Sequence, residues 1–342
     1  MGRWSTCSTQ FCAFRGSRPT NPVQTGHPSG GTPQQEQFAS YRWEELVALI
    51  LKHYEQINSK YKGLLPLKQV YVPDILEEEV LQLLMAENKS ITSRLQKGGA
   101  LLSDMRRLVA AWPDNSASED ISAFVMRTLG KPSLARARDT FSRAFRPRFL
   151  EGNPPQAWKL ARALEDDGVD PETAKAFYFW ITARAEKVLY HYVTEDLMAA
   201  RASAHRRIKV EDAMRWLRER LRSTGKEWSP IVTRKVARGM LAALRDFGVL
   251  QGATVKTIAP RHCPLEAFAL IAFCLHEMGA SGHALLDHHD WHLFLFTTSD
   301  VERGLLECHQ KGWLGFQAAG AICRIDFPSI PFKEYVHVVS SR

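Results

Sequence analysis

Apolar residues recur at helical spacing through most of this chain, and short breaks rich in Gly, Pro, Ser or Asp separate the repeats. A mainly α protein is therefore expected. The pattern predicts helices over 41–57, 74–85, 103–112, 118–129, 133–149, 158–164, from 171 onward, and over 210–222, 230–247, 264–278 and 300–311.

The predicted helix over 133–149 has two opposed faces. At about 100° per residue, Arg136 and Arg143 lie within about 20° of each other. The opposite side carries the apolar residues Leu134, Ala137, Phe141, Ala144 and Phe145. One face is therefore expected in a core and the other in solvent, and Pro147 is expected to end or bend the helix.

A second basic helix is predicted over 230–247. It follows Ser229-Pro230, an N-cap residue with proline at the first helical position. On a helical wheel, three arginines of this helix fall within about 40° of one another, opposite an apolar stripe. They are Arg234, Arg238 and Arg245. Lys235 lies at about 100° from Arg234.

Short β-prone stretches follow this helix, at 249–251 and 254–258 around Gly252. Helix, turn, basic helix and hairpin is the order of a winged helix-turn-helix, whose second helix can enter a major groove while the wing contacts backbone. A weaker repeat of the order ends with the stretches 313–316 and 322–327. The expected fold is a helical protein with winged helix-turn-helix-like units and short β-hairpin wings.

The chain divides into five predicted parts. Residues 1–37 contain 24 Gly, Pro, Ser, Thr, Asn or Gln and predict a disordered tail. The other parts are a helical accessory extension over 38–92, an N-terminal helical, helix-turn-helix-like domain with a linking helix over 93–200, a C-terminal winged-helix region over 201–330, and a tail over 331–342.

Charge is distributed unevenly along these parts. The net charge is +8 over 342 residues, but 94–162 carries +7 and 201–245 carries +9, whereas 163–200 carries −5 and 263–342 carries −4. Two positive blocks predict two surfaces that meet a polyanion, unless they are ordinary solvated helix faces. The candidate DNA-binding residues are Arg136, Arg143, Arg146, Thr233, Arg234, Lys235, Arg238, Arg245 and Lys256.

Motifs for catalysis or cofactor binding are missing from the sequence. It has no phosphate-binding loop and no G-x-S-x-G, so no enzyme activity and no cofactor are expected. His288-x-x-x-His292 has helical ligand spacing and leaves a zinc site as an alternative, although no acidic base accompanies the pair. Six isolated cysteines indicate reduced thiols and a cytoplasmic protein, and runs such as 267–275 are too short to span a membrane.

Several short motifs follow one another along the chain. They are Lys97-Gly98-Gly99-Ala100-Leu101-Leu102, Ala135-Arg136-Ala137-Arg138, Trp228-Ser229-Pro230, Leu244-Arg245-Asp246-Phe247-Gly248, Asp290-Trp291, and Gly315-Phe316-Gln317-Ala318-Ala319-Gly320. Taken in this order, the motifs resemble the BrxA family of bacteriophage-exclusion (BREX) defence systems. The resemblance covers about 93–330.

The resemblance implies a non-enzymatic helical protein that binds double-stranded DNA and works beside a methyltransferase and an ATPase. It also implies an alternative, an RNA-binding or protein-binding adaptor in the same defence complex. Residues 1–90 depart from the family pattern, so the role of this extension is left open.

Overall fold

The computed structural model of the chain describes residues 91–113, 121–203, 206–223, 226–260, 263–319 and 322–341. The predicted tail over 1–37 and the predicted helices over 41–57 and 74–85 lie outside the described residues. The division into domains therefore stays a prediction.

The first described part consists of helices, as the apolar periodicity predicts. A 3₁₀ turn, Arg94–Gln96, precedes them. The helices are α1 (Leu102–Ala111), α2 (Ile121–Leu129), α3 (Leu134–Thr140, continued as a π-helix over Phe141–Leu150), α4 (Ala157–Asp167), α5 (Pro171–Ala185) and α6 (Lys187–His191, continued as a π-helix over Tyr192–Leu197).

The second part adds two small antiparallel hairpins to further helices, so the mainly α fold class is confirmed. Its elements are α7 (Val210–Ser223), α8 (Pro230–Asp246), β1 (Leu250–Gln251), β2 (Thr257–Ile258), α9 (Leu265–Glu277), α10 (Gly282–Leu286), a 3₁₀ helix (His289–Phe294), α11 (Thr298–Gln310), β3 (Gly315–Ala319), β4 (Ile322–Asp326) and α12 (Phe332–Ser340).

Helix α5 forms the centre of the core. Its aromatic residues are buried on all sides of the helix, because other elements pack around its whole circumference. Phe177, Tyr178 and Ile181, which share one face of the helix at helical spacing, are fully buried. Phe179 and Trp180, outside that face, are buried as well.

The helix that contains Pro147 differs from the expectation. Proline does not end it, because the chain widens into a π-helix from Phe141 to Leu150. A wider turn accommodates a residue that lacks an N–H donor, and it shifts the helical faces away from the 3.6-residue pattern. Arg148, within the π-helix, is fully buried, whereas Leu134, a predicted core residue in the first turn of α3, is 43% exposed.

The C-terminal residues form a helix rather than the expected tail. Helix α12 buries Tyr335, Val336 and Val339 against α4 and α9. The Tyr335 ring stacks on Phe273 with centroids 4.4 Å apart. A nine-residue segment is too short for its own periodicity to be informative, and its apolar partners lie far away in sequence.

The first hairpin gains a third segment from the chain before α7. Strand β1 pairs with β2 through Leu250 opposite Ile258, and Ile208 forms an antiparallel bridge with Lys256. The Ile208 N–H donates to the Lys256 carbonyl at 2.7 Å. In the sequence, helices α7 and α8 therefore lie between two segments of one small sheet.

The 3₁₀ turn packs against α8 at a glycine. A Cβ atom on Gly239 would lie 1.9 Å from the Leu95 carbonyl oxygen, so the two backbones meet with no space for a side chain. Gly99 also approaches α8, where the backbone atoms of Gly239 and Ala243 lie 3.8 Å from its would-be Cβ.

Gly239→Ala therefore destabilises the protein, although alanine is the better helix former. We expect a loss of about 1–3 kcal/mol in the free energy of unfolding, as for an overpacked core position. Chemical denaturation would measure it, with Lys235→Ala, an exposed site on the same helix, as the near-neutral control. An unchanged midpoint for Gly239→Ala would contradict this packing.

Candidate nucleic-acid interface

Helix α8 presents a basic face to solvent. The Ser229 side chain accepts a hydrogen bond from the Val232 N–H at 3.3 Å, and Pro230 starts the helix, as expected. The predicted apolar stripe is buried, including Val236, Met240 and Leu244. The exposed basic residues of this helix are Arg234, Lys235, Arg238 and Arg245.

These four cations differ in their ion pairs. Arg245 contacts Asp246 at 2.7 Å, and Arg234 lies 3.8 Å from Glu211 on α7, both at exposed sites where ion pairs contribute little. Within the described ranges, neither Lys235 nor Arg238 has an ion-pair partner. They are therefore the side chains of α8 best placed to meet an external anion.

Two other candidates lie inside the protein. Thr233 is 1% exposed, and its hydroxyl donates to the Ser229 carbonyl at 3.0 Å, one turn back on the helix. The Lys256 ammonium donates to the Ala253 carbonyl at 2.6 Å and thereby closes the turn of the hairpin. Burial, with a smaller effect of the nearby Arg245 charge, lowers the pKa of Lys256.

The second predicted surface lies on α3 and its π-helical continuation. Arg136 is exposed on α3. Arg143 donates to Asp139 at 2.9 Å, and Arg146 donates to Glu151 at 2.7 Å. Lys97, from the turn that packs on α8, also donates to Asp139, at 3.1 Å.

The turn over 94–100 thus contacts both basic helices. On one side Leu95 meets Gly239 of α8. On the other side Lys97 meets Asp139 of α3. The two basic surfaces, which are far apart in sequence, flank the same short segment of chain.

A buried arginine holds this segment in place. Arg148 is 0% exposed and pairs with the buried Glu186 at 3.1 Å. Its remaining donors reach the carbonyl oxygens of Gly98, Gly99 and Ala100 at 3.1–3.2 Å. Arg148 lies within the basic block 94–162, for which an exposed positive surface is predicted. Its flanking apolar residues, in the series Phe145-Arg146-Pro147-Arg148-Phe149, were the available signal for burial.

Other arginines of the first basic block also serve the interior. Arg106 forms a bidentate pair with Glu165, which also accepts from the Tyr178 hydroxyl. Arg162 donates to the Val109 carbonyl and lies over the Trp158 ring. The charge of +7 over 94–162 therefore overstates the positive surface that this block presents.

Two exposed cations beyond the candidate residues lie beside the first hairpin. Arg207 and Lys209 flank Ile208, which is buried in the small sheet. Their exposure could have been predicted from the sequence, because an apolar residue between two charged ones is typical of a half-buried strand. They extend the basic surface along the hairpin.

The segment that contains His288 and His292 also contains a buried carboxylate, that of Asp290. Asp290 is fully buried and accepts from the Trp180 indole at 2.7 Å, from the Tyr190 hydroxyl at 2.8 Å, and from Arg184. His288 accepts from the Asp290 N–H, and burial lowers the pKa of His292. In the described part of the chain, no three His, Cys, Asp or Glu side chains group so as to hold a metal ion.

A family comparison bears on these residues. The profile of the family described as BrxA matches residues 90–273, more than half of the chain. The chain belongs to the BrxA family. The match includes the 94–100 turn, α3, α7, α8 and the first hairpin, so both basic surfaces lie within the BrxA region.

The BrxA match ends before two of the motifs on which the resemblance rested. Asp290-Trp291 and the 315–320 segment lie beyond residue 273. Searches of curated proteins and of solved structures found no match to the chain. Among the described residues of this BrxA family member, no helix has the length and apolar character that a bilayer span needs.

Replacing the buried arginine of this BrxA family member would test how the 94–100 turn is held. Arg148→Met leaves Glu186 buried with fewer partners, so we expect a loss of about 3–5 kcal/mol in the free energy of unfolding. Arg138→Met is the matched control, because Arg138 is exposed and, among the residues that the structure describes, its side chain donates only to Ser122, at 3.3 Å. Urea denaturation of both variants would measure the difference, and equal midpoints would contradict a structural role for Arg148.

Proposed function

We propose that this BrxA family member is a non-enzymatic accessory protein of a BREX anti-phage defence system that binds double-stranded DNA. The observation that carries the proposal is the exposed basic face of α8, opposite a fully buried apolar stripe. Phosphate contacts need cations that reach solvent from a rigid element, and α8 meets that requirement.

The arrangement around α8 supports a winged helix-turn-helix. Helix α7 precedes α8, the β1–β2 hairpin follows it, and Ile208 adds a third segment to the hairpin. A major groove about 12 Å wide admits one helix, and a neighbouring hairpin can then contact the backbone. In this proposal α8 enters the groove, while Arg207 and Lys209 approach phosphates beside it.

Binding to a phosphate backbone requires no catalytic group, and two thiols on α9 and α11 are poorly suited to be nucleophiles. Burial raises the pKa values of Cys274 and Cys308 far above the ordinary range. A thiol is a weak nucleophile when its thiolate is disfavoured in this way. These two buried thiols are therefore poor candidates for a catalytic nucleophile.

We expect Lys235→Gln with Arg238→Gln to lower duplex affinity about tenfold near physiological salt. Each lost phosphate contact should also flatten the slope of log K against log salt by about 0.9. Fluorescence anisotropy with a labelled duplex, repeated across a salt series, would measure both quantities.

The matched control is Arg303→Gln with Arg324→Gln. It removes the same charge from exposed sites on α11 and β4, where the two side chains are 68% and 69% exposed. Equal losses of duplex affinity in both double variants would mean that the net charge of the protein, and not the position of these side chains on α8, determines the affinity. Parental affinity and slope in Lys235→Gln with Arg238→Gln would remove α8 from the interface.

A second candidate function, protein contact within the same system, is favoured by an apolar surface on the acidic C-terminal part. Ile322 is 71% exposed and Leu306 is 46% exposed, and both line a groove with Phe316. Such a surface suits a contact with another defence component better than it suits a phosphate backbone.

Ile322→Glu should therefore reduce recovery of the BREX methyltransferase or ATPase when these proteins are co-expressed with the chain. Duplex affinity should stay within about twofold of the parent, because the change lies outside the basic surfaces. Co-purification and anisotropy on the same preparations would measure the two effects. Undiminished recovery of both components would count against this surface.

A further inference from the structure

One carboxylate lies between two exposed cations from different parts of the chain. Asp139 accepts from the Lys97 ammonium at 3.1 Å and from the Arg143 guanidinium at 2.9 Å. All three side chains reach solvent, with exposures of 51% for Lys97, 44% for Asp139 and 39% for Arg143. An exposed ion pair is worth little to stability, so stability alone is a weak reason for this cluster.

The cluster carries an excess of positive charge. Hydrogen bonds from Lys97 and then from Arg143 lower the pKa of the Asp139 carboxyl, so it is ionised at neutral pH. Two cations face this single anion, and Arg136 is exposed one turn earlier on α3. The cluster can therefore accept a further anion, or the same cations can exchange one anion for another.

The position of the cluster connects it with α8. Lys97 belongs to the turn whose Leu95 carbonyl meets Gly239. Lys235 lies one helical turn before that glycine and Arg238 directly precedes it, and both are exposed. The 94–100 turn therefore contacts both the cluster, through Lys97, and the helix that carries the second basic face, through Leu95.

We propose that Lys97 and Arg143 form a second phosphate-binding site, for the backbone of the duplex that α8 contacts. The Asp139 carboxylate occupies the place of the phosphate in the free protein. This inference rests on the proposed DNA-binding function. Carboxylate and phosphate oxygens accept the same charge-assisted hydrogen bonds from Lys and Arg, and the two donors already converge on one acceptor group.

A consequence is that Asp139 limits affinity for DNA. It competes with phosphate for both donors, and its own charge repels the backbone. The alternative is that the cluster only ties the 94–100 turn to α3. In that case loss of the carboxylate weakens the fold slightly and leaves DNA binding unchanged.

Asp139→Asn separates the two readings, because it keeps the side-chain shape and removes the charge. We expect duplex affinity to rise about three- to tenfold near physiological salt, and the salt slope to steepen by about 0.9 for each released cation. Anisotropy with a labelled duplex across a salt series would measure this rise, with thermal unfolding on the same sample to verify the fold.

The matched control is Asp326→Asn on β4. Asp326 pairs with Arg324 at 2.7 Å, and these side chains are 54% and 69% exposed. It makes the same change in net charge at another exposed ion pair. A gain of equal size in both variants, or no gain in Asp139→Asn, would overturn the inference.

Lys97→Gln with Arg143→Gln gives an independent measure. These changes should lower the affinity of the parent and should abolish the gain produced by Asp139→Asn when all three are combined. If the parent binds duplex and these variants bind equally well, the second site is wrong while the proposed function stands. If the parent itself binds no duplex, the proposed function fails first.

Discussion

The proposed interface depends on the interactions that the buried Arg148 guanidinium makes inside the protein. It is fully buried, neutralised by Glu186, and bonded to three successive carbonyls of the glycine-containing turn. Removing one partner of such a pair leaves a buried charge, so the geometry is held firmly. Glu186 also pairs with Arg94 of the turn at 3.5 Å. Because this turn contacts both α3 and α8, these internal ion pairs hold the segment that lies between the two basic surfaces.

The arginines of this chain divide into two groups by environment. Arg106, Arg148, Arg162 and Arg184 bond to carboxylates or carbonyls inside the protein. Others extend from amphipathic helices into solvent and carry the positive surface. A planar guanidinium with five donors suits both tasks, since it can satisfy several buried acceptors or contact phosphate. Net charge over a segment therefore does not measure its positive surface, because internally bonded arginines count toward it.

Much of this fold was predictable from sequence, because long helices with a strong apolar periodicity and clear capping residues can be recognised from sequence alone. The α8 helix was predicted to within one residue at its C-terminal end, and its exposed cations followed from the angle between faces. The π-helix around Pro147 was not predictable, since a period near 3.6 was assumed and tertiary packing imposed a wider turn. Arg148 and Lys256 were misplaced for a related reason. Their environments depend on distant carbonyls or on the hairpin turn, which local patterns do not contain.

The central claim is that α8, the 94–100 turn and α3 form one surface for duplex DNA. Hydrogen exchange of the full chain, with and without a duplex of about 20 base pairs, would test it directly. The account predicts that amides in the turn, in α3 and in the first half of α8 slow together when DNA is added, while β3 and β4 keep their exchange rates. Slowing confined to 263–342, or no change in α8 at DNA concentrations that saturate binding, would contradict it.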